Sequence, residues 1–136
     1  MTTENVIRVE EGNRLSFGNH HLETKTKVED FAFQGDLLKV KTFYEITKLE
    51  KNGSFLYESV PGTSVTDFAE NEEGVVFYVA AKENAQITVG LVSQTAYEVT
   101  VGEESIGVME TNLSGKLSVS VECLSEEPVK VEIKRA

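Results

Sequence analysis

The sequence has no tryptophan, one cysteine and two histidines in 136 residues. One cysteine cannot close an internal disulfide, and alone it cannot form a thiolate metal site. Cys123 falls on the apolar phase of an alternating run, so we expect a small buried side chain rather than a reactive thiol. His20 and His21 are adjacent, and adjacent side chains of a strand point to opposite faces. We expect this pair to lie in a surface loop and to hold no metal.

Long apolar runs and positive charge are also scarce. The longest apolar run, Val75–Ala81, is far shorter than the about 20 residues of a membrane helix, and no signal-peptide stretch begins the chain. Thirteen Lys and Arg against 23 Asp and Glu leave a net charge of -10, which repels phosphate backbones and anionic lipid. We therefore predict no nucleic-acid partner, no membrane partner and a cytoplasmic location, unless a leader has been removed.

Motifs of catalysis and cofactor binding are missing as well. No serine lies in a Gly-x-Ser-x-Gly elbow, and Gly90, Gly102 and Gly107 are too sparse for a phosphate-binding loop. Asp67 shares a phase with Val65, so we expect a partly sheltered structural acceptor. Three acidic pairs lie beside turn residues, where solvated charge is expected: Glu72 with Glu73, Glu103 with Glu104, and Glu126 with Glu127. The sequence thus predicts no cofactor and favours a protein that is not an enzyme.

Apolar and polar residues alternate with a period of two along most of the chain. In the run 117–123, for example, every second residue is apolar, as in a strand with one buried face. The run Val75–Ala80 is apolar on both phases, which predicts a central strand covered on both sides. Turn residues recur about every 8 to 20 positions, which indicates about ten short strands. We predict an all-β fold in which residues 1–136 form a single antiparallel β-sandwich, jelly-roll or immunoglobulin-like.

Two segments are ambiguous. Residues 24–33 could form one helical turn or a loop, and we leave them unassigned. Phe43–Lys51 could be a helix, but a strand is better supported because Leu38, Val40, Tyr44 and Ile46 share one phase.

The dipeptide Asn52-Gly53 predicts a hairpin after this segment. A plain two-residue turn would place apolar residues of one strand opposite polar residues of the other, so neither face of the hairpin would be uniformly apolar. A β-bulge shifts the register by one residue and sets Ile46 opposite Val60, Lys48 opposite Glu58 and Leu49 opposite Tyr57. We therefore predict a long hairpin with a bulge near the turn.

Aromatic rings are the best candidates for a ligand site, because sugar-binding β-sandwiches stack sugars on exposed rings. The candidate binding residues are Phe43, Phe55, Tyr57, Tyr78 and Tyr97. Core packing competes for the same rings, since Phe and Tyr supply much of the buried area of a small sheet protein.

Several stretches of the chain resemble known proteins. The segments 39–42, 45–53, 57–63 and 111–121 resemble a group of small proteins from gut-type clostridial bacteria that often carry the label endosialidase. That label implies cleavage of sialic-acid polymers by an arginine triad in a much larger propeller with Trp-containing turns. Here the arginines are Arg8, Arg14 and Arg135 and Trp is absent, so no catalytic residue is carried over. The segments 97–102, 111–112 and 115–117 resemble the last strands of accessory β-sandwiches in polysaccharide lyases and glycoside hydrolases, which implies architecture more than activity.

Three functions follow in order of preference. The first is a non-catalytic binding or interaction module, with carbohydrate or a protein as the partner, because a sandwich with short loops offers chiefly its faces and edges. The second is a homo-oligomeric structural or assembly protein, because many short strands leave edges to be covered. The third is a small glycan-active hydrolase, which would need two close carboxylates in a deep pocket.

Overall fold

The computed structural model describes residues 6–123 and 127–136, which form thirteen β-strands and no α-helix. One sheet has seven antiparallel strands, in the spatial order β1 (Ile7–Glu10), β2 (Arg14–Phe17), β7 (Ser64–Asn71), β8 (Gly74–Ala80), β13 (Val129–Arg135), β10 (Ala96–Val101) and β11 (Glu104–Glu110). The other has six, in the order β12 (Lys116–Val121), β9 (Ala85–Gly90), β6 (Ser54–Val60), β5 (Ile46–Lys51), β4 (Asp36–Phe43) and β3 (Thr26–Phe33). The sheets pack face to face, so the predicted β-sandwich is confirmed.

The hydrophobic core lies between the two sheets and is built from the apolar phase of the strands. In β12, for example, buried and exposed residues alternate strictly. Four rings meet at its centre, where Phe17, Phe68 and Phe77 of the seven-stranded sheet surround Tyr57 of the six-stranded sheet. The Tyr57 ring centre lies 5.1 Å from that of Phe17 and 5.6 Å from that of Phe77, both edge to face. This geometry suits the ring quadrupoles and adds to the gain from buried area.

A set of fully buried hydroxyl groups lies beside these rings. We call this set the hydroxyl cluster, and its members are Thr42, Thr47, Tyr57, Ser59 and Thr63. The Thr47 hydroxyl donates to the Thr63 carbonyl at 2.7 Å, accepts from the Thr63 amide at 3.0 Å and lies 2.8 Å from the Thr42 hydroxyl. The hydroxyls of Tyr57 and Ser59 both lie 2.8 Å from that of Thr63. The cluster therefore holds the loop after β6 against the buried face of the six-stranded sheet through hydrogen bonds. The alternation of apolar and polar residues did not predict these buried polar contacts.

The hairpin of β5 and β6 has the predicted register. Lys48 pairs with Glu58 and Leu49 with Tyr57, and the register then shifts between Leu49 and Glu50. The shift is the predicted bulge, because Leu56 is the extra residue of β6 and is buried together with Tyr57.

Both ambiguous segments are strands. Residues 26–33 form β3, whose pairing with β4 is irregular between Val28 and Phe31, where Asp30 has a positive φ of 55°. This irregularity shifts the burial phase along β3, which explains why the segment lacked a clean period of two.

The helix alternative for Phe43–Lys51 is wrong, because β4 ends at Phe43 and β5 begins at Ile46. The predicted shared phase is wrong as well. Tyr44 is 51% exposed in the two-residue turn between the strands, and Ile46 lies on the outer face. The turn reverses the chain, so Thr47 and Leu49 take the buried phase of β5.

The apolar run in β8 forms the middle strand of the seven-stranded sheet, between β7 and β13, as predicted. Its predicted cover on both faces is wrong, because Phe77 and Val79 are buried whereas Tyr78 between them is 37% exposed. The C-terminal alternation forms β13, which pairs with both β8 and β10. The last strand therefore joins two halves of this sheet.

Candidate functional site

Two of the five candidate rings are part of the core. Tyr57 is fully buried and Tyr97 is 2% exposed, so the prediction of exposed rings is wrong at both positions. The Tyr57 hydroxyl bonds to Thr63 inside the hydroxyl cluster, and burial raises the pKa of that phenol. The Tyr97 hydroxyl accepts a hydrogen bond of 3.3 Å from the amide of Val92. Each tyrosine buries its ring because its hydroxyl has a partner inside the protein.

The three other candidate rings are at least partly exposed and lie far apart. Phe43 and Tyr78 lie on the outer faces of opposite sheets. Phe55 lies at one end of the sandwich, where its ring faces the amino group of Lys116 at 4.5 Å from the ring centre. The bulge in β6 brings Phe55 out of the core, because Leu56 and Tyr57 take the buried positions. The fold therefore forms no continuous aromatic platform from these five residues.

A cleft of about 810 Å³ at that end of the sandwich brings two of the five residues together. The turn between β7 and β8, the loop after β9 and the ends of β5, β6 and β13 enclose it. We call it the end cleft. Its apolar wall contains Phe55, Leu56, Leu91, Val92 and Tyr97. Its polar wall contains Lys51, Glu70, Asn71, Glu72, Glu73, Ser114 and Arg135.

A glycine sets how closely two strands approach at the floor of this cleft. Gly90 ends β9, and a Cβ atom there would lie 2.6 Å from the carbonyl oxygen of Phe55. Real Cβ atoms do not approach backbone that closely, so any larger residue would push β6 and β9 apart. The position of the Phe55 ring beside the cleft therefore depends on Gly90.

Internal contacts hold the charged groups of the end cleft. Lys51 bonds to Glu70 across the sandwich at 2.5 Å, and the Arg135 guanidinium donates to the carbonyl of Glu72 at 3.1 Å. The Asn71 side chain accepts two backbone N–H groups of the β7–β8 turn. The cleft thus presents hydrogen-bonding groups beside apolar surface, the combination found in binding sites for polar organic ligands.

A second cavity of about 530 Å³ lies at the opposite end, beside the two histidines. His20 is buried, and its Nδ1 lies 2.8 Å from the hydroxyl of Ser64, so the predicted surface position is wrong for this residue. His21 is exposed, and its ring centre lies 4.1 Å from that of His20. The loop packs His20 against β7, which a sequence of two adjacent histidines does not indicate. Within residues 6–123 and 127–136, no group of three or more His, Cys, Asp or Glu could hold a metal ion.

The other predicted side chains are structural or solvated. Asp67 lies at a bulge of β7 with a φ of 53°, which interrupts the predicted phase shared with Val65. Its side chain is 35% exposed and lies 3.7 Å from the Arg14 guanidinium, so it is only partly sheltered. Cys123 is buried as predicted, and desolvation raises the pKa of its thiol. The acidic residues found exposed are Glu72, Glu73, Glu103, Glu104 and Glu127, whereas Glu126 lies outside the described residues.

Most residues of the end cleft were not predicted from the sequence. Arg135, Asn71, Ser114 and Val92 come from four separate segments, and no pattern links them before the sheets assemble. A weak signal was available at Val92, an apolar residue directly before the polar residues Ser93 and Gln94, and the structure leaves its side chain 50% exposed.

Comparison of the chain with family models, with curated proteins and with solved structures found no significant match. The likeness to clostridial proteins and to accessory sandwiches therefore stays a prediction. In the part of the chain that the structure describes, no helix is both long and apolar enough to cross a membrane.

Proposed function

We propose that this protein is a non-catalytic binding module whose end cleft holds a short carbohydrate chain. The observation that carries the proposal is the half-buried Phe55 ring at a cleft that also presents Asn71, Ser114 and Arg135. Sugars offer both apolar C–H faces and many hydroxyl groups, so they match a wall of this mixed kind. The volume of about 810 Å³ lies in the usual range of ligand pockets, roughly 300–1,000 Å³.

The charges of the cleft support binding rather than hydrolysis. Glycoside hydrolysis needs one carboxylic acid with a raised pKa and a second carboxylate free to act as base or nucleophile. Here Glu70 is paired with Lys51, and Glu73 lies 4.0 Å from the amino group of Lys134. Both of these carboxylates therefore have a lysine partner, which favours a structural role over that of a free base or nucleophile.

A glycan array followed by calorimetric titration tests the proposal. The Phe55→Ala variant removes the ring at the cleft, and Tyr78→Ala removes an exposed ring from the outer face of the other sheet as a matched control. We expect Phe55→Ala to weaken binding of an array hit about five- to tenfold, and Tyr78→Ala to change it less than about twofold. No hit on a broad array, or equal effects of the two variants, would contradict the proposal.

Self-association is the second candidate function, and one edge strand favours it. Ile106 is 46% exposed and Val108 is 61% exposed on β11, which ends the seven-stranded sheet. An exposed edge with apolar side chains can pair with the same edge of a second copy.

Light scattering at high protein concentration tests this second candidate. Val108→Lys should abolish a dimer, whereas Val9→Lys, on the opposite edge of the same sheet, should leave it intact. A wild-type protein that stays monomeric throughout would remove this candidate.

A further inference from the structure

A row of lysines crosses the outer face of the six-stranded sheet. The register pairs Lys27 with Lys41 and Lys41 with Lys48, so three lysines stand side by side on β3, β4 and β5. Neighbouring strands lie about 4.8 Å apart, so the row spans about 10 Å. Lys39 lies on the same face of β4, and Lys25 reaches it from the loop before β3. We call these five residues the lysine face.

The lysine face is locally positive in an acidic protein. Three glutamates share this side of the sheet: Glu29, Glu50 and Glu58. Lys27 pairs with Glu29 at 2.7 Å, and Lys48 lies 3.8 Å from Glu50. Lys41, between them, forms no ion pair with any described residue. On the strands of this face, the four lysines at positions 27, 39, 41 and 48 outnumber the three glutamates, whereas the whole chain carries a net charge of -10.

Such a row is unfavourable for the isolated sheet. Like charges directly opposite each other on neighbouring strands destabilise the pairing, and Lys41 has a lysine on both sides. Two or three anionic groups placed above the row would replace this repulsion with attraction. Charge complementarity therefore selects a ligand that carries several negative charges over about 10 Å.

The surroundings of the row narrow the chemistry of that ligand. On one side lie apolar side chains of the same face, namely Phe43, Ile46 and Val60. The Lys25 amino group lies 5.7 Å from the centre of the Phe43 ring. On the other side of Lys48, the residues paired across the next strands are Glu58, Thr88 and Ser118. The exposed hydroxyls of Thr88 and Ser118 lie 2.8 Å apart. A ligand that combines anionic groups, apolar ring faces and hydroxyl groups would match the lysines, the apolar side chains and these two hydroxyls.

We propose that the lysine face is a second binding site, separate from the end cleft, and that it takes a linear acidic polysaccharide bearing carboxylates or sulfates. A nucleic acid strand fits less well, because it carries a charge about every 3.4 Å and would continue over the acidic remainder of the surface. A polysaccharide with wider charge spacing can place its anionic groups over the lysines and its neutral ring atoms over the glutamates and Phe43.

Affinity electrophoresis at low salt, in gels that contain polygalacturonate or chondroitin sulfate, tests this proposal. Lys41→Glu should weaken binding about fivefold, and the double variant with Lys48→Glu more than about twentyfold. The control Lys130→Glu makes the same change of charge on the outer face of the other sheet, and it should change affinity less than about twofold. Added salt should weaken binding by the wild type, because these groups are exposed to solvent.

The same variants separate binding from folding. Lys41→Glu replaces two repulsive neighbours with two attractive ones, so its melting temperature should equal or exceed that of the wild type while its affinity falls. A neutral sugar bound in the end cleft should bind this variant unchanged, so the two proposals fail independently. The two gels distinguish a carboxylate from a sulfate preference. Absence of retardation in both, equal retardation of all variants, or tighter binding of single-stranded DNA than of either polysaccharide would overturn the proposal.

Discussion

Substitution of Thr47 by valine tests the role of the hydroxyl cluster in the fold. Valine has almost the same shape as threonine, so the substitution removes hydrogen bonds and leaves the packing nearly unchanged. The Thr47 hydroxyl contacts the Thr63 carbonyl at 2.7 Å, the Thr63 amide at 3.0 Å and the Thr42 hydroxyl at 2.8 Å. All three residues are fully buried, so water cannot replace the lost partner without opening the core.

The expected cost follows from these contacts. The Thr63 N–H loses its acceptor inside the protein, and a buried donor left without a partner costs about 1–3 kcal/mol. Loss of the bond to the Thr63 carbonyl adds about 1 kcal/mol, so we expect a total of about 2–4 kcal/mol. For a domain of this length each kcal/mol lowers the melting temperature by about 3–5 °C, so we expect a decrease of about 10 °C.

Urea unfolding followed by circular dichroism measures this loss, with Thr88→Val as the control. Thr88 lies on the outer face of β9, where its hydroxyl bonds to Ser118 at 2.8 Å in contact with solvent. We expect the control to lose less than about 0.5 kcal/mol. A loss below about 1 kcal/mol for Thr47→Val, or equal losses for both variants, would refute the argument that the buried hydroxyls stabilise this fold.

Two further predictions concern ionisable groups. Glu10 accepts a hydrogen bond of 2.6 Å from Ser16 and lies 3.0 Å from the Arg8 guanidinium, and these contacts lower its pKa below the ordinary value of 4.5. A lowered pKa stabilises the fold at neutral pH, and this stability is lost as the pH falls through the lowered value. Glu10→Gln should therefore be less stable than the wild type at pH 7, and the difference in urea unfolding should shrink in acid; a constant difference would contradict this. Burial raises the pKa of the Cys123 thiol, which keeps the thiol protonated and shielded in the native protein. A thiol reagent at mildly alkaline pH should therefore react slowly with the native protein and fast with the protein unfolded in urea. Equal rates would show that the thiol is accessible in the native protein.

The alternation of apolar and polar residues predicted those strands that pair with their neighbours in a regular register. The strict alternation of β12 and β13 survives in the fold, since both strands bury one face against the same core. The bulge between Leu49 and Glu50 was also predictable, because only a shift of one residue keeps Leu49 and Tyr57 on the same face. Prediction failed where the chain reverses within an apolar segment. The turn at Tyr44 lacks Gly, Pro and Asn, so no turn residue marked the change of phase.

The candidate site was predicted far less well than the fold. Phe55 and Tyr97 were named from the sequence, but only the assembled sheets place them beside Asn71 and Arg135. Phe43, Tyr78 and Tyr57 share the chemistry of Phe55 and lie elsewhere, because the face of a ring depends on strand register and bulges. The lysine row has the same origin, since Lys27, Lys41 and Lys48 become neighbours only through pairing across strands.

The sequence by itself determined the class of fold and the chemistry that this surface can offer. A period of two in the apolar residues requires sheets with one buried face, and residue counts limit the side chains available for binding or catalysis. Only the tertiary structure decided which of these side chains meet. Contacts between strands distant in the chain depend on sheet order, register and bulges, and these are set by the packing of the whole core rather than by any local segment.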